Sequence, residues 1–179
     1  MEKNIEIKFS QKLFESLKQL ITEMKHKILN IKEESYSSKL DIESLKNKIE
    51  KLYKQKNLRL SGRVINKDEF TVYDKLVVVG WNMPNLRRKS AYVKGKIITK
   101  EKGTILKLTI KPNSILPLFA VFSFFVGIII TIISFLENKF YLTFGLTFIA
   151  LGVLYYPLSI FLRNRLENKI VKYLDLDKN

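Results

Sequence analysis

Two long apolar runs, Ile115 to Leu136 and Phe140 to Leu162, are separated by only Glu137, Asn138 and Lys139. The first carries no charge in 22 positions and the second none in 23. At about 1.5 Å of rise per residue, a helix of either length matches the roughly 30 Å hydrocarbon core of a bilayer. Both runs exceed ordinary buried core helices, and both lie too far along the chain to be a secretory signal. They predict a transmembrane helical hairpin (115–136 and 140–162) behind a water-soluble region.

Composition removes several kinds of chemistry. There is no cysteine, which excludes disulfides and thiolate metal sites. The single histidine, His26, sits between Lys25 and Lys27 on a polar helix face and reads as a solvated bystander. No imidazole base is then left for a triad or a zinc site. Asp68, Glu69 and Asp74 cluster around a predicted hairpin turn and read as solvated turn residues. An acid–base pair would need a cleft and shifted pKa values, and nothing in the sequence points to either. No catalytic, metal-ligating or cofactor-binding residue is assigned, and a non-enzymatic protein is expected.

The formal charge of +15 is unevenly placed. Residues 75–114 hold ten Lys or Arg against the single Glu101 and run directly into the first apolar segment. Arg163, Arg165, Lys169 and Lys172 follow the second, with only Glu167 among them. The short connection between the runs balances Glu137 against Lys139. By the positive-inside rule both ends face the cytoplasm, N-in and C-in. Arg87, Arg88, Lys89, Lys111, Arg163 and Arg165 are the candidates for contact with anionic headgroups, where each cation can contribute about 1 kcal/mol. The alternative is that they only set topology and keep a sheet face soluble; the short linker before Ile115 favours lipid contact. Tyr73, Trp81 and Tyr92 lie near basic strands, but no nucleic-acid-binding motif is present, and nucleic acid is not expected as a partner.

Ahead of the hairpin the chain divides in two. Residues 1–57 read as a helical region after a short strand at Asn4 to Phe9. Ser10 is the predicted N-cap of a first helix, and Leu13, Leu17, Leu20, Met24 and Ile31, flanked by Phe14, Ile21 and Ile28, draw one apolar stripe along it. Glu33 to Ser38 interrupts, and a second helix is predicted over Lys39 to Gln55 with Ile42, Leu45, Ile49 and Leu52 as its seam. These stripes pack on a sheet or on each other, or else serve a partner or a second copy. Residues 58–114 read as a small, curled antiparallel sheet. Leu58–Ile65 and Phe70–Tyr73 form one hairpin, Leu76–Val79 a buried run, and Ala91–Thr99 with Thr104–Lys111 a second hairpin. Gly80–Lys89 is expected as a loop, and Gly62 and Gly95, each mid-strand, as points of curvature. Residues 163–179 read as a basic cytoplasmic tail. The fold class is thus an α+β membrane protein, with N-terminal amphipathic helices, a curled sheet and a C-terminal two-helix hairpin.

Gly62, Phe70, Pro84, Gly95, Ile97, Gly103, Thr104 and Pro112, spread over Leu58 to Leu162, give a pattern of glycine-bearing strands ahead of an apolar hairpin. In this the chain resembles uncharacterised small bacterial membrane proteins with a β-rich cytoplasmic region. Trp81 to Ala91 departs from that pattern, and the resemblance implies architecture only.

Within the hairpin, Ala120, Ser123, Gly127, Thr131 and Ser134 line one face of the first helix, and Gly145, Gly152 and Ser159 recur every seven residues on the second. Small residues let helix backbones approach closely in lipid. Ser123, Gly127, Thr131, Gly145 and Gly152 are therefore the candidate packing residues, facing each other within one hairpin or facing a neighbouring protomer. Pro157 predicts a local kink, and Tyr155 and Tyr156 suit an interfacial belt. The absence of any ionisable residue from both runs argues against a transporter. Two functional readings follow: a membrane-anchored adaptor that binds a protein, headgroup or small ligand at a bacterial inner membrane, and an oligomerising membrane-perturbing or pore-forming effector. The Lys-, Ile- and Asn-rich composition and the lack of a cleavable presequence point to an AT-rich bacterium.

Overall fold

The structure is a computed structural model that describes residues 15–16, 18–79, 88–100, 103–136 and 141–178. The expected strand at 4–9 and the Ser10 cap lie outside these residues. Helix α1 spans 18–28, and strand β1 spans Lys32–Ser38. Helix α2 (Ile42–Lys54) and a 3-10 turn (Lys56–Leu58) lead to β2 (Leu60–Asn66) and β3 (Glu69–Asp74). Next come β4 (Val77–Val79), β5 (Arg88–Lys89), β6 (Ala91–Lys100) and β7 (Gly103–Pro112). Helices α3 (Ile115–Leu136) and α4 (Leu142–Leu174) and the short β8 (Asp177–Lys178) complete the chain. Six strands form one antiparallel sheet in the order β2-β3-β6-β7-β1-β8, and β4 pairs with β5 separately. The fold class is α+β, as the sequence predicts.

One face of the sheet is covered and the other is open. Alternation along β7 turns Leu106, Leu108 and Ile110 inward against Val93 and Ile97 of β6 and Phe70 and Val72 of β3. Over them lie Leu45, Ile49 and Leu52 of α2, which is capped by Asp41 accepting from the Ser44 N–H at 3.2 Å. The glycines make room for aromatic rings. A Cβ at Gly95 would enter the ring of Phe70 on the adjacent strand, and one at Gly62 would meet Tyr53. Ring coverage of a strand glycine restores the packing that its missing side chain leaves out. The register shift in β2 falls instead between Val64 and Asn66.

Three segments differ from the sequence reading. Lys32–Ser38, expected as an interruption between helices, is a strand paired along its whole length with β7. Its inward residues are Lys32, Glu34, Tyr36 and Ser38, so the apolar alternation that announces a strand is missing. Arg88 and Lys89, expected in a loop, pair with β4. The largest difference lies in residues 163–174, which are not a tail. Helix α4 continues unbroken through them for a total of 33 residues. Leu162, Leu166, Ile170 and Leu174, spaced one helical turn apart, carry the apolar stripe past the end of the membrane-length run, and the last three join the core beneath the sheet.

Burial of each such leucine or isoleucine contributes about 1.5–3 kcal/mol. Truncation leaves a cavity, so Leu166→Ala should lower unfolding free energy by about 2–5 kcal/mol. Denaturant titration in detergent, read by far-UV circular dichroism, checks this. A loss below about 0.5 kcal/mol, as for a surface substitution, would mean that α4 is not part of the core.

Candidate functional site at the junction of sheet and hairpin

The two apolar helices pack antiparallel along their small residues. A Cβ at Gly127 would come within 2.6 Å of Ile149 N and 2.8 Å of Gly145 O, and one at Gly152 within 2.8 Å of Ala120 O. A Cβ at Gly145 would meet the Thr131 hydroxyl, which itself donates to Gly127 O at 2.8 Å. Ser123 is fully buried, with no hydrogen-bond partner for its hydroxyl. Thus Gly127, Thr131, Gly145 and Gly152 meet within one chain. The outward surfaces are large and apolar: Phe122, Phe125, Phe135, Leu154 and Phe161 are all at least 60% exposed. Helices in the core of a soluble protein would be mostly covered, whereas these two are long and apolar enough to cross a membrane and mostly bare.

Where the hairpin meets the sheet, buried polar groups fix the geometry. Asn113, 1% exposed, lies two residues ahead of α3. Its side-chain oxygen accepts from Ile115 N at 3.1 Å, its amide donates to Lys89 O at 3.1 Å, and its backbone N–H donates to Ser90 O at 2.8 Å. Asn113 thereby ties the helix start to β5. On α4, Glu167 is 5% exposed and accepts from Lys32 Nζ at 2.6 Å and from the Tyr36 hydroxyl at 2.5 Å. Burial, reinforced by the neighbouring Glu167 carboxylate, holds the Tyr36 phenol well above its ordinary pKa, so it remains a donor. Toward the opposite edge of the sheet, Lys169 donates to Asp74 of β3 at 3.2 Å and to Leu58 O at 2.9 Å. Asp74 is 1% exposed, so it is a buried docking residue and not the solvated turn carboxylate expected from the sequence. Asp68 pairs with Lys46 at 3.2 Å and Glu69 with Lys94 at 3.1 Å, so the three carboxylates each face a different lysine.

The cations expected at headgroups divide. Arg87 and the side chain of Arg88 lie outside the described residues. Lys89 sits over the Tyr73 ring at 5.7 Å, and Lys111 is exposed across from Tyr92, both close to the start of α3. Arg163 turns inward, donating to Asn164 Oδ1 and, at 3.0 Å, to Asn30 O, and Arg165 is half-buried. The open face of the sheet adds Arg63, Lys94, Lys96 and Lys107, all exposed. Lys96 and Lys107 stand directly opposite one another on β6 and β7. Like charges so placed disfavour the sheet.

The sequence reading missed Asn113, Tyr36 and Glu167. An Asn two residues ahead of a long apolar run is a cap signal; for Tyr36 and Glu167, 131 residues apart, no local signal exists. Among the described residues no group of three or more His, Asp or Glu could hold a metal ion. The chain matches no family model, no curated protein and no solved structure. The sheet and paired apolar helices are present, and no relative adds to the resemblance noted above.

Two predictions follow from this geometry. Gly145→Leu should separate α3 from α4 and lower the melting temperature in detergent, whereas Ser123→Ala, which removes an unsatisfied buried hydroxyl, should be neutral or stabilising; equal losses from both would contradict the seam. The Glu34 carboxylate is held below its usual pKa, chiefly by its hydrogen bond from Lys178 at 2.9 Å. A depressed pKa contributes stability that is complete above the ordinary carboxylate value of about 4.3 and is lost as pH falls through the lower folded value. Thermal unfolding of wild type and Glu34→Gln should therefore differ at pH 7 and converge in acid, and a pH-independent gap would refute the assignment.

Proposed function

We propose that this is a membrane-anchored, non-enzymatic adaptor of a bacterial inner membrane. In this reading α3 and the apolar part of α4 cross the bilayer as a hairpin, and the sheet and both ends of the chain lie on the cytoplasmic side. The observation that carries it is the unbroken passage of α4 from the bare apolar hairpin into the core under the sheet. A flexible tether would let the sheet tumble; a continuous helix holds it at one height and one orientation. Lys89 and Lys111, beside the start of α3, supply headgroup contacts. The open face, with Lys96 opposite Lys107, fits a partner bearing acidic groups, whose carboxylates or phosphates would relieve the repulsion between the two cations. The pore-forming reading rested on the small-residue stripes. With these engaged inside one hairpin, no further observation favours it.

A photo-crosslinking residue placed at Arg63, Lys94 or Thr109 on the open face should trap a discrete species in intact cells. Lys96→Glu with Lys107→Glu should abolish that adduct without lowering the melting temperature. Adducts absent at all three positions, or unaffected by the charge reversal, would defeat the proposed binding face.

A further inference from the structure

Helix α1 leaves the body of the protein with a face that no described residue covers. Leu20 is 54%, Ile21 64% and Met24 52% exposed, while the C-terminal end of the helix is firmly held. Asn30, in the left-handed conformation at φ 53°, closes it in a Schellman arrangement, with Ile31 N donating to His26 O at 2.9 Å and Asn30 N to Lys27 O at 3.2 Å. Asn30 Nδ2 donates to Ser159 at 2.8 Å, Arg163 to Asn30 O at 3.0 Å, and the Tyr156 hydroxyl to Lys27 O at 3.2 Å. All three partners lie on α4 within or just beyond the last turns of its apolar stretch. The anchored end of α1 is therefore level with the place where that stretch gives way to charge.

The distribution of side chains around α1 matches that depth. At about 100° per residue, Leu20, Ile21, Met24 and Ile28 form one stripe. Lys25 borders it on one side and Lys27 on the other, Lys18 and Glu23 lie about equally far beyond those borders, and Gln19 and Thr22 lie on the far face. Long lysine stems at the border can lie along hydrocarbon and lift their ammonium groups to the phosphates. The uncharged polar residues of the far face, Gln19 and Thr22, turn toward water.

We propose that α1 is an interfacial helix that lies on the cytoplasmic leaflet, its Leu20–Ile21–Met24 face among the acyl chains and its border lysines on anionic headgroups. The inference rests on the hairpin spanning the bilayer, and the test separates the two. Because the chain has no cysteine, single cysteines can be introduced into the full-length protein at Gln19, Ile21, Glu23 and Met24, with Phe125 as a hairpin control, and labelled with an environment-sensitive fluorophore. The carriers are vesicles of phosphatidylcholine with and without phosphatidylglycerol. Labels at 21 and 24 should shift to the blue and be quenched by lipid-borne nitroxide, and those at 19 and 23 by aqueous iodide. Lys18→Gln, Lys25→Gln and Lys27→Gln combined should reduce the lipid quenching at 24 several-fold in the anionic vesicles. If the label at 125 is lipid-quenched while 21 and 24 remain open to iodide, the inference is wrong and the hairpin reading stands. If 125 is itself open to iodide, both fall. Shielding of 21 and 24 from both quenchers would mean that a second protein surface covers the face, which also overturns the proposal.

Discussion

One helix has to satisfy two environments, and the rest of the architecture follows from that demand. In its first two-thirds α4 presents apolar residues outward on nearly every side and comes closest to α3 at its small ones. In its last three turns it presents an apolar stripe inward, and its outward side is polar. The change occurs at Leu162–Arg163 without a break in the backbone, so every hydrogen bond of the helix ladder is kept across the boundary. A sheet of this kind needs cover on one face. Helix α2 covers part of it, and α4 supplies the remainder.

The arrangement explains why the neighbouring strand carries polar residues toward the core. Tyr36 and Lys32 of β1 face α4 at the level of Glu167, and a carboxylate so buried is tolerated only with donors on both sides. Breaking any one contact leaves the others uncompensated, so the cluster selects a single rotation of α4 relative to the sheet. Asp74 and Lys169 do the same further along the helix. Hydrophobic packing sets the depth of the docking, and the buried ion pairs set its angle.

Legibility in the sequence followed the range of the interactions. The hairpin and the strand pairs β2–β3 and β6–β7 depend on residues close in the chain, and periodicity finds them. Strand β1 was hidden because its inward positions are filled by partners more than 130 residues away. The continuation of α4 was hidden by composition: Arg163, Arg165, Lys169 and Lys172 mask the four-residue spacing of Leu162, Leu166, Ile170 and Leu174. Of the candidate site, the small-residue seam was readable from spacing, whereas the inward turn of Arg163 toward Asn30 was not, since a cation beside an apolar run looks the same whether it faces solvent or protein.

The Asn30 joint carries a mechanical consequence. Helix α1 and strand β1 share it, and three hydrogen bonds fasten it to α4 at two adjacent turns, so neither element can shift along the helix alone. A sideways load on residues 18–20 of α1 would be delivered to α4 as a torque near Ser159, beside Pro157, where the ring removes one rung of the ladder. The joint that carries α1 thus sits beside the one turn of α4 that lacks a backbone donor.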